Sequence, residues 1–249
     1  MIKKLFLLFA LSTVVYSIRA QVAIAYFNPN YQTIGSKSFQ NFASSYASVN
    51  ANVLSDWDSE RPGVGWTIGF GIGGTDHATM GLEYSRSKSF AEFNRTDGGQ
   101  RKFSLHSNML NFRTNILIGN YSAGTINGMI HLGAGMGRAV IKSSYTQGSM
   151  SVNSAALDGK YTGFHGELSA GLSLVFMFSD YIGIKAGCTY NTSMWPIRLD
   201  DKDKDMDYDS LPQDFATYSQ GPTYYVGEEV KDDFRYLQFR IGILVLTHE

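Results

Sequence analysis

Residues 164–192 read FHGELSAGLSLVFMFSDYIGIKAGCTYNT, two alternating runs that meet at a turn through Ser179 and Asp180. After the turn, Ile182, Ile184, Ala186, Cys188 and Tyr190 share one parity, and Gly183, Lys185, Gly187, Thr189 and Asn191 share the other. Side chains of a strand alternate between faces, so this hairpin has one apolar face and one face of small, polar and charged residues. The same two-residue period recurs along the chain, which points to a β-barrel.

Read at that period, residues 21–249 hold eight candidate strands, 22–27, 65–73, 78–93, 102–119, 127–145, 161–178, 182–191 and 234–246. In the second, Trp66, Ile68, Phe70 and Ile72 alternate with Gly65, Thr67, Gly69 and Gly71. In the eighth, Leu237, Phe239, Ile241, Ile243 and Val245 alternate with Gln238, Arg240 and Gly242. The first is read with Val22, Ile24 and Tyr26 on its apolar side. In the fourth, Phe103 and Leu105 are out of phase with Leu110, Phe112 and Ile116, which predicts a bulge near Ser107 to Met109.

Connection lengths alternate. Residues 74–77, 120–126 and 179–180 are short links, whereas 28–64, 94–101, 146–160 and 191–233 are mostly long and polar. An even strand count with short turns at one rim and long loops at the other predicts an all-β fold, an eight-stranded antiparallel up-and-down transmembrane β-barrel with periplasmic turns and external loops. The faces settle which solvent is outside. Eight strands cannot enclose Trp66, Phe70, Phe112, Phe176 and Phe239 together, so the apolar side is assigned to lipid and the small, polar side to the lumen. Closure also satisfies the backbone polar groups that an open sheet would leave bare in lipid. Tyr84, Tyr190, Trp195 and Tyr236, near the long-loop ends, and Tyr121, Phe178 and Tyr181, near the short turns, are read as interfacial girdles.

The first twenty residues fit export to such a membrane. Lys3 and Lys4 precede an apolar run from Leu5 to Val15, and Ala20 closes the segment, so residues 1–20 are expected to be a cleaved signal peptide and 21–249 one barrel domain. A single Cys excludes an intramolecular disulfide, and Cys188 at an apolar strand position is read as a small hydrophobe. A formal net charge of −1 gives no electrostatic case for nucleic acid. Twenty-six Gly, sixteen Phe, fifteen Tyr and three Trp suit strands that need small residues on one face and aromatics at interfaces.

With the signal segment, the eight alternating strands, the Gly-rich lumen face and the alternating connections in hand, the chain resembles small bacterial outer-membrane barrels of the OmpA-transmembrane-domain, OmpX and PorT-like kind. The resemblance covers residues 21–249 and rests on architecture, with no sharp motif. It implies a fold and an outer-membrane location.

The face assigned to the lumen collects Glu83, Arg113, His131, His165, Glu167, Lys185 and Arg240, together with Asn115 and Gln238. Charges in a narrow interior must be paired and hydrogen-bonded, so these residues are expected to form a network. Glu83 and Arg113, on adjacent strands and each six residues from the short turn that leads into or out of its strand, are the first expected ion pair; Glu167 is expected to meet Lys185 or Arg240. The catalytic alternative is a lipid-modifying enzyme, an acyltransferase or deacylase acting on lipopolysaccharide, because His165, Glu167 and Ser169 share a strand face. Same-face neighbours stand about 7 Å apart, too far for direct hydrogen bonds between short groups.

Two connections carry further signals. Asp203, Asp205, Asp207 and Asp214 in 191–233 occupy positions one, three, five and twelve of a calcium-loop pattern, but position six is Tyr208 in place of Gly, so a solvated acidic loop is favoured over a cation site. In 28–64, Phe39, Phe42, Tyr46, Val49 and Val53 follow helical spacing. The expectation is a monomeric, non-enzymatic, cofactor-free barrel held in outer-membrane lipid. Its external loops would contact a surface glycan, an envelope partner or a cation.

Overall fold

The structure is a computed structural model in which residues 22–35, 63–75, 77–94, 98–147, 150–151, 159–195, 197–198, 231–232 and 235–248 are described. Eight long strands make up the wall: β1 (Val22–Gly35), β2 (Gly63–Thr75), β3 (Ala78–Asn94), β4 (Gly99–Ile118), β5 (Ile126–Gln147), β6 (Gly159–Met177), β7 (Ile182–Ser193) and β8 (Arg235–His248). Each is antiparallel to the next, and β1 pairs with β8, so the sheet closes on itself as the alternation predicted.

The register fixes the barrel's shape. Stepping through paired residues once around the wall gives Ile24, Gly71, Gly81, Arg113, Gly133, Ser169, Asn191, Tyr236 and finally Ile34, ten residues beyond the start on β1. Eight strands with that stagger tilt by about 40° and enclose a backbone cylinder of about 8 Å radius, a bore that side chains fill.

Outward positions form a continuous apolar belt. Phe70, Leu82, Leu110, Leu132, Leu172, Leu174, Ile184 and Ile241 all point away from the lumen and are exposed on the closed wall. On a soluble barrel this surface would face water; here it is the lipid-facing face. On β3, β4 and β5 the last row that is apolar on all three strands is Tyr84, Leu110 and Met136, which are register partners. These strands run on past that row to Asn94, Gly99 and Gln147, well beyond the roughly ten residues a tilted strand needs to cross a bilayer.

Four sequence expectations change. β1 continues through Pro29 to Gly35, and its even-numbered residues face inward: Val22, Ile24 and Tyr26 are buried in the lumen, while Phe27 and Tyr31 are exposed outside. Proline has no N–H to give, and the ladder to β8 skips Asn28 and Pro29, whereas the ladder to β2 includes Pro29 opposite Trp66. β4 has no bulge, since its register with both neighbours is unbroken through Ser107 to Met109. Phe103 and Leu105 are apolar and inward because they fill the lumen above the belt. Two girdle residues also move: Tyr121 is buried at the short-turn end with its hydroxyl donating to the Gly128 carbonyl at 2.5 Å, and Tyr236 turns into the lumen.

The link between β6 and β7 is longer than a two-residue turn. The N–H groups of Phe178 and Ser179 donate to the Ile182 carbonyl, and Ser179 Oγ accepts from the N–H groups of Tyr181 and Ile182. Asp180 Oδ1 accepts from the Ala123 N–H at 2.9 Å, tying this turn to the β4–β5 link. That link reverses through Gly119 (φ 116°) and Gly124 (φ 77°), backbone conformations that favour glycine.

Candidate functional site

The lumen is filled in three layers. At the short-turn end, Val22, Ile24, Tyr26, Leu117, Tyr121, Met129, Val175, Met177, Leu244 and Leu246 form one buried apolar cluster. At the long-loop end, Phe93 and Phe103 meet edge to face at 6.0 Å, Ile141 and Tyr161 are buried beside them, and Arg101 lies over the Tyr145 ring while donating to Ser143 Oγ. Between these plugs lie the charged residues.

Glu83 is the hub. Its Oε1 is 2.7 Å from Arg113 Nη2, and its Oε2 accepts from Arg240 Nη1 and from the Tyr26 hydroxyl, each at 2.8 Å. Arg240 also donates through Nε to Gln238 Oε1 at 2.9 Å. The Lys185 ammonium lies 4.2 Å from the centre of the Tyr26 ring, a cation–π contact, with no carboxylate in ion-pair range among the described residues. Inward glycines create the space: a Cβ on Gly69 would come within 2.2 Å of the Tyr26 ring. One on Gly135 would come within 1.8 Å of Asn111 Oδ1.

His131 belongs to a second chain of bonds. Its Nδ1 is 2.9 Å from Asn115 Oδ1 and its Nε2 is 2.6 Å from Ser173 Oγ, while Asn115 Nδ2 donates to Thr79 Oγ1 at 3.2 Å. A neutral ring that donates from Nδ1 and accepts at Nε2 satisfies both neighbours. Glu167 differs from expectation: its carboxylate accepts from the Tyr236 hydroxyl and forms no ion pair with Lys185 or Arg240. The cross-lumen neighbour is set by the stagger of ten, which the sequence does not display.

His165, Glu167 and Ser169 do lie on the inward face of β6, and all three are buried. Ser169 Oγ has no hydrogen-bond partner, so the structure contains no hydroxyl–imidazole pair at this place. No group of three or more His, Cys, Asp or Glu side chains suited to a metal occurs among the described residues. Asp203, Asp205, Asp207 and Asp214, the aromatic residues Phe39, Phe42 and Tyr46, and residues 1–20 lie outside the described residues.

Tyr26 and Tyr236 are the network members that sequence reading missed. Both signals were present. Tyr26 shares parity with Asn28, Asn30 and Gln32, and Tyr236 shares it with Gln238 and Arg240.

No family model matches the chain, and no curated protein matches its sequence. Among solved structures it is similar to Ail, the attachment invasion locus protein of Yersinia pestis, at 12% identity, covering 91% of this chain and 98% of that one with a TM-score of 0.43. Neisserial surface protein A is similar at 12% identity over 90% and 96% of the two chains, with a TM-score of 0.44. The outer membrane protease OmpT of Escherichia coli is similar at 8% identity over 92% and 96%, with a TM-score of 0.31.

Proposed function

We propose that this chain is an exported, monomeric outer-membrane barrel without enzymatic activity, whose role is structural or binding and is carried by its long-loop rim. The observation that supports this reading is the filled lumen. Apolar side chains are packed at both ends of it, and between them Glu83 holds two guanidiniums and a phenol. A bore of this kind offers no path for solute and no surface for a substrate, so recognition falls to the segments displayed by the rigid wall. Residues 1–20 supply the export signal, and the polar connections 36–62 and 199–230 are the candidates for contact with a surface glycan, a cation or an envelope partner.

The test is outer-membrane fractionation of the expressed full-length chain with a heat-modifiability gel, followed by deletion of residues 199–230. The proposal expects a membrane-bound, heat-shifted band that survives the deletion, while cell-surface binding of glycan or cation is lost. Undiminished binding after deletion would remove the acidic connection from the assignment. An altered lipid acylation pattern that disappears in His165→Ala would replace the proposal with the enzymatic reading.

A further inference from the structure

The outer face of β3, β4 and β5 changes character in one register step. Above the row Tyr84, Leu110, Met136 comes the row Arg86, Asn108, Arg138, then Lys88, His106 and Val140, then Phe90, Ser104 and Lys142, the last opposite Lys160 of β6. Arg86, Lys88, Arg138 and Lys142 are exposed and form no ion pair with any described residue. The one carboxylate among the described residues on this outer face, Glu92, is held by Lys102. Lys142 and Lys160 are directly opposite, about 5 Å apart, and Arg86 and Arg138 flank Asn108 at about twice that spacing, so like charges are gathered on this face at a cost. The opposite wall differs: the described outward positions of β7, β8, β1 and β2 hold a single cation, Arg235, among residues such as Tyr190, Leu237, Tyr31 and Val64.

We infer that this one-sided cationic surface binds the phosphate groups of lipids in the leaflet around the long-loop rim. The inference rests on the proposed orientation, with that rim on the external side. Position selects a lipid over a soluble anion. Arg86 and Arg138 stand one outward position, about 7 Å along the strand, from Tyr84 and Met136. Trp66 and Tyr84 pack at 5.4 Å beside Arg86, an aromatic pair placed where tails give way to headgroups. A lipid whose tails lie along Leu82, Leu110 and Leu132 brings its phosphates to the level of these four cations, and its tails keep it there. The long stems of Arg and Lys let the charges reach headgroups while their carbons stay against the belt.

The test uses the purified full-length barrel in neutral detergent, titrated with bisphosphorylated lipid A and with the same lipid after phosphate removal. Binding is read by native mass spectrometry. Wild type should prefer the phosphorylated lipid by about tenfold or more, with Arg86→Gln/Lys88→Gln/Arg138→Gln/Lys142→Gln losing that preference and Arg235→Gln retaining it. Equal binding of the two lipids by wild type, or an undiminished preference in the fourfold variant, overturns the inference. So does inositol hexakisphosphate binding as tightly as lipid A, which would make the surface a receptor for soluble anions. If the fourfold variant does not assemble, the wild-type comparison of the two lipids and the double variant Lys88→Gln/Lys142→Gln decide. Heat modifiability of wild type separates the two layers: a chain that shifts but shows no phosphate preference loses this inference alone, and one that never shifts loses the barrel reading.

Discussion

Glu83 carries more of the interior than any other single residue. Two buried guanidiniums and the Tyr26 hydroxyl converge on its two oxygens, so its removal leaves two cations unneutralised inside the wall. Glu83→Gln should destabilise the folded barrel by about 3–5 kcal/mol, read as a lowered urea midpoint in detergent, because breaking one side of a buried ion pair strands the other. An unchanged midpoint would mean that the two guanidiniums do not depend on this carboxylate. The inward glycines make a second residue-scale prediction. Gly69→Val should push Tyr26 off Glu83 and cost about 1–3 kcal/mol, whereas Phe70→Leu, facing lipid on the next position, should cost less than half as much in the same measurement. At this scale the sequence was partly legible. Glu83 lies opposite Asn111, and Arg113 opposite Gly81, so counting from the short turns 74–77 and 120–126 is enough to bring carboxylate and guanidinium to one level. The Tyr236 partner of Glu167 was not legible, because it depends on how far the sheet is sheared before it closes.

At the scale of the strand, alternation located all eight wall elements and identified the lipid face of all but β1. It misassigned the lumen face wherever that face is itself apolar. Val22, Ile24 and Tyr26 in β1, and Phe103 and Leu105 in β4, are hydrophobic because they belong to the end plugs, so hydrophobicity by itself could not tell lipid from plug. Phase continuity was the better guide. Gln32, Asn30 and Asn28 fix the parity of β1, and Asn111, Arg113 and Asn115 fix that of β4. The unbroken register of β4 gives a direct check: deleting Ser107 moves one half of the strand by one position and turns either Phe103 and Leu105 outward or Leu110 and Phe112 inward. The variant should fail to give a heat-shifted band. A normal shift would show that the strand accommodates a slip, as a bulged strand would.

For the molecule as a whole, the shear of ten around eight strands makes a cylinder that its own side chains fill, with apolar residues packed at both ends. Reconstituted into planar bilayers, the protein should give no steady conductance above the membrane background at neutral pH; regular open steps of porin size would refute a filled lumen. What remained hidden from sequence at this scale is the asymmetry of the outer surface, since Arg86 and Arg138 come to one row, either side of Asn108, only when β3, β4 and β5 are laid in register. Around the whole wall, one parity of residues meets lipid and the other fills the lumen; this division is the feature on which everything above depends. It is tested most directly by single cysteines placed in turn at residues 130–137 of β5, in a Cys188→Ala background, each carrying a fluorophore in vesicles that contain lipid-tail quenchers. Quenching is expected at positions 130, 132, 134 and 136 and none at folded positions 131, 133, 135 and 137. Quenching in the opposite phase, or at both parities alike, would contradict that division.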